Sequence, residues 1–255
     1  MPEKSADIKT LVGYCDTVLR TREIQDWDGA VNGLQVEGPG PVRRIAAAVD
    51  ASLTTVRLAV AQGADLLLVH HGLFWAPSHP WTGPRYELIR ELVESRLSVY
   101  SSHLPLDLHP RLGNNFLLAR ALGLSLGRPF FPEKGSEIGL RFDARLPLDD
   151  LAARMERTLG RPPVILPGGP KKCRHIGIVT GGAGAELKRA AQSGVDTFIT
   201  GEGPHWTFAI AEDLGINVLY GGHYATETFG VRALAEKLSR RFHLPWVFID
   251  HPTGL

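Results

Sequence analysis

The chain has 255 residues, 28 of them basic and 27 acidic, for a net charge of +1, which argues against a broad nucleic-acid-binding face of the kind that phosphate neutralisation needs. Its two cysteines, Cys15 and Cys173, form no CxxC or Cys/His cluster; neither a zinc knuckle nor a disulfide framework is expected, and a reducing cytoplasm suits the composition. The length allows one large or two smaller α/β domains with cores that need no staples, while no export signal or membrane span of roughly 20 apolar residues is evident.

Ile8, Leu11, Val12, Cys15, Val18 and Leu19 recur at helical spacing, so an amphipathic helix opens the fold. DWDGAVNGLQVEGPGPV then reads as a loop with a short strand at 34–36. IAAAVD is a strand, SLTTVRLAVAQG a helix capped by Ser52 and ended by Gly63, and DLLLVHH a second strand, which together make a βαβ unit. The continuous run Leu66-Leu67-Leu68-Val69 suits a parallel strand buried on both faces. A helix over 86–95, a strand over 97–101 and a helix over 114–122 continue the alternation. After about residue 125 the character changes, with a linker and one or two added strands before a helix over 148–159. A strand–helix–strand block from 174 to 203, a further strand and helix, and a last strand WVFID complete the chain. The basic clusters Arg43-Arg44 and Lys171-Lys172-Cys173-Arg174 read as solvated loop charge.

Two stretches repeat. Ile45 and Ile176, Gly63 and Gly194, Asp65 and Asp196, and Gly72 and Gly203 share an offset of 131, which sets His71 opposite Glu202. VYSSHLPLD and LYGGHYATE share Tyr-x-x-His-x-x-x-acid at an offset of 120. Each half therefore offers a histidine and a carboxylate four residues apart beyond a strand, His103 with Asp107 and His223 with Glu227. On a first helical turn, positions i and i+4 share a face and can grip one cation; for the first pair Pro105 makes a loop equally reasonable. His70 and His71 close a hydrophobic strand, where uncompensated imidazoles would be costly. Side chains alternate along a strand, so both rings serve one centre only if the chain turns at Gly72 or if they bind different ions.

Imidazoles mixed with carboxylates suit zinc, manganese, iron, cobalt or nickel. Two such ions about 3.5–4 Å apart lower the pKa of a shared water and favour hydrolysis. TGGAG at 180–184 reads either as an anion-binding turn or as a tight strand-to-helix connection. Glu202 and His205 in TGEGPHW face the same cleft or serve a salt bridge. Trp75 and Trp81, near Pro77, Pro80 and Pro84, form an apolar wall or pack a loop.

NGLQVEG, DLLLVHHGLFW, SSHLPLD with the following GNN, DTFITGEGPHW and GGHYATET together resemble the NIF-three-like family, whose bacterial members include YbgI and are labelled GTP cyclohydrolase 1 type 2 homologues. The likeness covers nearly the whole chain. It implies two similar α/β domains, each a mainly parallel sheet flanked by helices and related by internal duplication, here expected at 1–125 with 221–255 and at 126–220. It also implies a dinuclear metal site with ligands His70, His71, Asp107, His223 and Glu227, His103 as a proton carrier, and a homohexamer built as a trimer of dimers. The expected activity is hydrolysis of a small nucleotide-like molecule, opening the guanine ring of GTP; the competing account is a non-catalytic regulatory or metal-trafficking scaffold. The segment APSHPWTGPR departs from many relatives, which carry a lysine soon after the matching aromatic pair.

Overall fold

Short polar signals delimit the elements at the chain's start. Asp7 accepts a hydrogen bond from Thr10 N and begins α1 (Ile8–Leu19), which buries Ile8, Leu11, Cys15 and Leu19 along one stripe and ends where Arg20 turns left-handed. After β1 (Gly33–Val36) and β2 (Ile45–Asp50), Ser52 and Thr55 form a reciprocal capping box that opens α2 (Leu53–Ala61). The buried run of β3 (Leu66–His71) follows. Next come α3 (Pro84–Ser95), β4 (Ser98–Ser101) and the single turn α4 (Leu104–Asp107), which keeps Pro105 inside its first turn, where no amide is needed. The computed structural model describes residues 4–75 and 79–255; Pro77 and part of the APSHPWTGPR segment lie outside them.

The chain continues with α5 (Asn114–Ala121), β5 (Arg128–Glu133), β6 (Ser136–Pro147), α6 (Leu148–Leu159), β7 (Val164–Pro167) and β8 (Lys172–Ile178). A 3-10 turn at Ala183–Glu186 leads into α7 (Leu187–Gln192). β9 (Thr197–Thr200), α8 (Thr207–Leu214), β10 (Asn217–Tyr220), α9 (His223–Phe242) and β11 (Trp246–Phe248) complete it. Neither β7 nor α8 is expected from the sequence pattern. Among the described residues no helix is long and apolar enough to cross a membrane.

Two compact units result: Met1–His109 with Gly230–His251, and Pro110–Phe229 with Pro252–Leu255. These limits differ from the expected 125/126 and 220/221. The reason is packing: Leu118 and Ala119 of α5, and Phe229 of α9, belong to the second unit's core beside Met155, Ile176 and Leu219. His223 and Glu227 therefore sit in the second unit rather than the first.

The first unit's sheet has the order β1-β4-β3-β2-β11, parallel except where β1 meets β4. The second has the order β5-β6-β8-β9-β10-β7, with only the β8-β9-β10 centre parallel. The run β1-β4-β3-β2 matches β7-β10-β9-β8 strand for strand, antiparallel edge included, which is the duplication expected from the repeat. The sheets diverge beyond it. The first adds the parallel strand β11, while the second adds a hairpin whose turn residues Lys134 and Gly135 both have positive φ, a two-residue connection that obliges β5 and β6 to run antiparallel. The second sheet is thus mixed rather than mainly parallel. Its two faces are covered separately, one by α5 and α6 and the other by α7 and α8.

Candidate metal centre

In the first unit, β3 ends on His70 and His71. His70 is fully buried, and its Nδ1 lies 3.0 Å from the Ser102 carbonyl oxygen. His71 Nδ1 lies 2.8 Å from Oδ1 of Asp50, its register partner at the end of β2. His103 precedes α4, and its Nδ1 lies 2.8 Å from Asp26 Oδ1. A carbonyl or an ionised carboxylate can only accept, so each Nδ1 carries a proton and donates, which in the neutral ring puts the lone pair on Nε2. The rings of His70 and His71 are 4.7 Å apart and those of His70 and His103 4.9 Å. One ligand atom from each of the three histidines lies within 4.8 Å of the others. Asp107, one turn along α4 from His103, brings Oδ2 to 3.5 Å from His70 Nε2.

The two adjacent rings lie side by side at the end of β3, and Gly72 follows them, packed against Gln35. A Cβ there would meet Gln35 Nε2 at 2.3 Å, and Gln35 Oε1 accepts a 2.7 Å hydrogen bond from Leu73 N. Asn32 works on the next loop: its Nδ2 donates to Asp26 Oδ2 at 2.8 Å and its Oδ1 accepts from His103 N at 2.7 Å. Burial acts to raise the Asp26 pKa, yet the hydrogen bonds from His103 and Asn32 and the charge of His103 hold it below the ordinary carboxylate value. Trp75 packs edge-on to His71 and His103 and donates Nε1–H to the Gly72 carbonyl, so it walls the cluster; Trp81 packs on Phe74 and Arg85 instead.

In the second unit, His223 opens α9 and Glu227 lies one turn on, with His223 Nε2 3.1 Å from Glu227 Oε2. His223 Nδ1 lies 2.9 Å from Glu202 Oε1. Burial acts to lower the His223 pKa, but the hydrogen bonds and charges of Glu227 and then Glu202 outweigh it and raise the value to about 9. Backbone closes tightly here: a Cβ on Gly181, whose φ is +74°, would come within 2.2 Å of Glu227 Oε1, and one on Gly201 within 2.6 Å of the His223 Cα.

The 180–184 turn is a tight connection rather than an anion cradle. Four of its five amides are consumed within the unit, Thr180 N by Asn115, Gly181 N by Thr226, Ala183 N by Thr200 and Gly184 N by the Glu202 carbonyl. Glu202 serves His223, whereas His205 is exposed and joins neither cluster among the described residues. Sequence reasoning missed the orienting groups: Asp26, Asp50, Asn32, Gln35 and the Ser102 carbonyl. One signal was available for Asp50, because a carboxylate closing β2 faces the last residue of β3 in a parallel pair of equal length.

The family profile described as Duf34/NIF3 (NGG1p interacting factor 3) matches residues 6–254. A GTP cyclohydrolase 1 type 2 homolog from Deinococcus radiodurans is 44% identical over 230 residues, covering 89% of this chain and 88% of the relative. The crystal structure of TTHA1606 from Thermus thermophilus shares 42% identity with a TM-score of 0.89, over 98% of this chain and 100% of that one. The solved structure of protein ybgI, of unknown function, shares 35% identity with a TM-score of 0.90, over 97% and 99%. With its strand order, its histidine-rich strand ends and its full-length likeness to these proteins, the chain belongs to the Duf34/NIF3 family.

Proposed function

We propose that the protein is a dinuclear metal-dependent hydrolase in which His70, His71, Asp107, His223 and Glu227 hold two divalent cations and a small nucleotide-like molecule is the substrate. The observation that carries this reading is the shared state of four imidazoles: each Nδ1 is engaged by an oxygen acceptor, and each Nε2 is thereby set up for ligation. A histidine kept only for packing needs one satisfied nitrogen and no carboxylate beside the other. His70 and His223 each have such a carboxylate, Asp107 and Glu227.

Nitrogen and carboxylate donors without thiolates suit zinc, manganese, iron, cobalt or nickel. When bound, such ions supply an acidified water as nucleophile near neutral pH. The chain's own residues do the rest. His103, held by Asp26 through Nδ1, offers Nε2 to take up a proton and return it to a leaving nitrogen. Trp75 gives the substrate an apolar flank. The printed name of the relatives, GTP cyclohydrolase 1 type 2 homolog, supports opening of a guanine ring as the first reaction to test. The homohexamer implied by the sequence resemblance and the cytoplasmic location that the cysteine usage suits belong to the same proposal, and sedimentation of the native protein tests the former.

The decisive experiment pairs elemental analysis of the native protein with turnover of GTP and related nucleotides, comparing wild type with Glu227→Gln and His103→Ala. Two ions per subunit, turnover lost in both variants and metal content lowered only in the first are expected. Occupied, exchangeable ions with no turnover across the panel would instead favour the metal-trafficking scaffold.

A further inference from the structure

The second unit carries a cationic cavity that the metal chemistry does not use. It has a volume of about 630 Å³ and is lined by Asp143, Ala144 and Arg145 of β6 and by Lys172, Arg174 and His175 of β8. Pockets of roughly 300–1,000 Å³ accommodate small ligands. The β6–β8 pairing is irregular between Asp143 and Leu146; such a bulge re-aims side chains, and Arg145 falls within it. The one lining carboxylate among the described residues is neutralised from several sides: Asp143 Oδ1 lies 2.9 Å from His175 Nδ1 and 4.0 Å from Arg141 Nη2, and Oδ2 pairs with Arg128. The His175 hydrogen bond, with Arg128, keeps that carboxyl below its ordinary range, so it stays charged and committed to these partners. Arg145, Lys172 and Arg174 are exposed and make no ion pair among the described residues. A chain whose net charge is only +1 thus concentrates unpaired cations in one concavity.

We propose that this cavity binds an oligophosphate group, two or more linked phosphates on a small molecule. Guanidinium forks and an ammonium suit phosphate oxygens, and several charges on one ligand reward several cations at once. Among the described residues no Phe, Tyr or Trp lines the cavity, so recognition rests on charge rather than on stacking against a large aromatic ring. The basic stretch that reads as loop charge in the sequence is strand β8, which presents Lys172 and Arg174 to the ligand.

Calorimetric titration of the full-length protein with inorganic tripolyphosphate tests this, using wild type, R145A/K172A/R174A and His70→Ala. The expected result is saturable one-site binding that weakens roughly tenfold or more in the triple variant and with added salt, and that persists in His70→Ala. All three replaced side chains are exposed, so the variant should fold, and circular dichroism checks that. Equal affinity in the triple variant, loss of binding in His70→Ala, or no saturable binding would each overturn the proposal. Competition by GTP at similar strength would identify a nucleotide's phosphates as a source; a single-stranded oligonucleotide that binds more tightly than tripolyphosphate would overturn it in favour of nucleic acid.

Discussion

The first unit gathers three imidazoles and a carboxylate at the ends of neighbouring strands, whereas the second supplies one imidazole and one carboxylate on a single helical turn. The two halves nonetheless use equivalent positions. Asp50 corresponds to Gly181 and His71 to Glu202 at one offset, and His103 to His223 and Asp107 to Glu227 at the other. In the first unit Asp50 orients His71; in the second the residue at the His71 position, Glu202, orients His223, and the Asp50 position has no side chain at all. That space is where Glu227 Oε1 sits, too close to Gly181 for any Cβ. The repeat thus preserves where functional groups stand while exchanging which of them binds and which one holds.

The strongest test removes a donor from each half. His70→Ala and Glu227→Ala should each lose bound metal by more than the roughly 10–100-fold in affinity that an orienting partner contributes, read as ions per subunit after gel filtration. Full retention in either variant would break the equivalence of the halves.

Gly181→Ala comes next. Its Cβ would overlap the Glu227 carboxylate at 2.2 Å, and its φ of +74° disfavours any side chain; a loss of about 1–3 kcal/mol is expected from the backbone alone, with reduced metal content besides. Gly182→Ala is the control, because its Cβ would find His223 Cε1 at an ordinary 3.5 Å. Thermal unfolding and elemental analysis should separate the pair. Below these stand the orienting residues. Asp50→Asn and Glu202→Gln exchange an acceptor-only carboxylate for an amide that can also donate, so Nδ1 is no longer obliged to be protonated, and each should weaken metal binding by roughly 10–100-fold without removing a metal ligand.

The contrast between binding and holding residues also marks what was legible in the sequence. His70-His71 stands out because two imidazoles close an apolar strand, and the His-x-x-x-acid pattern stands out because it recurs; both are local. Asp26 is 77 positions from His103, and nothing in DWDGAVNG announces a partner that the loop reaches only after folding. Elements behave likewise. Helix α6 was legible to the residue, since Asp149 and Asp150 open it and Gly160 closes it around buried Leu151 and Met155. Strand β7 is four residues long and follows two prolines, and it exists because β10 needs an antiparallel edge partner. The β5–β6 hairpin read only as a linker with one or two added strands, although Lys134-Gly135 between alternating segments is its turn.

Protonation sharpens the comparison further, because the partners of His223 raise its pKa to about 9. That folded-state value lies above the ordinary 6.5. In the metal-free protein, the charged ring's pairing with Glu227 and Glu202 therefore adds stability that is complete below pH 6.5 and is lost as pH rises through about 9. Metal binding has the opposite sign, since the ion must displace this proton: below that value, affinity should climb by up to roughly tenfold per pH unit. Melting temperature of the chelated protein and metal titration at several pH values read the two trends, and His223→Gln should flatten both.

The smallest effect tests the duplication away from the site. Asp65 Oδ2 accepts hydrogen bonds from the amides of Arg43 and Arg44 at 2.7 and 3.1 Å. At the same offset, Asp196 Oδ2 accepts from the amides of Arg174 and His175 at 3.0 and 3.1 Å. Each carboxylate ties the start of one parallel strand to the start of the next, so alanine at either position leaves two amides without their acceptor. Partial exposure lets water replace part of what is lost, and each substitution should cost about 1–2 kcal/mol, with metal content unchanged. Matching losses would mean that the two halves carry their shared scaffold at equal strain. A loss confined to Asp65→Ala would mean that the hairpin beyond β8 has taken over the stabilisation that β11 leaves to Asp65 in the first sheet.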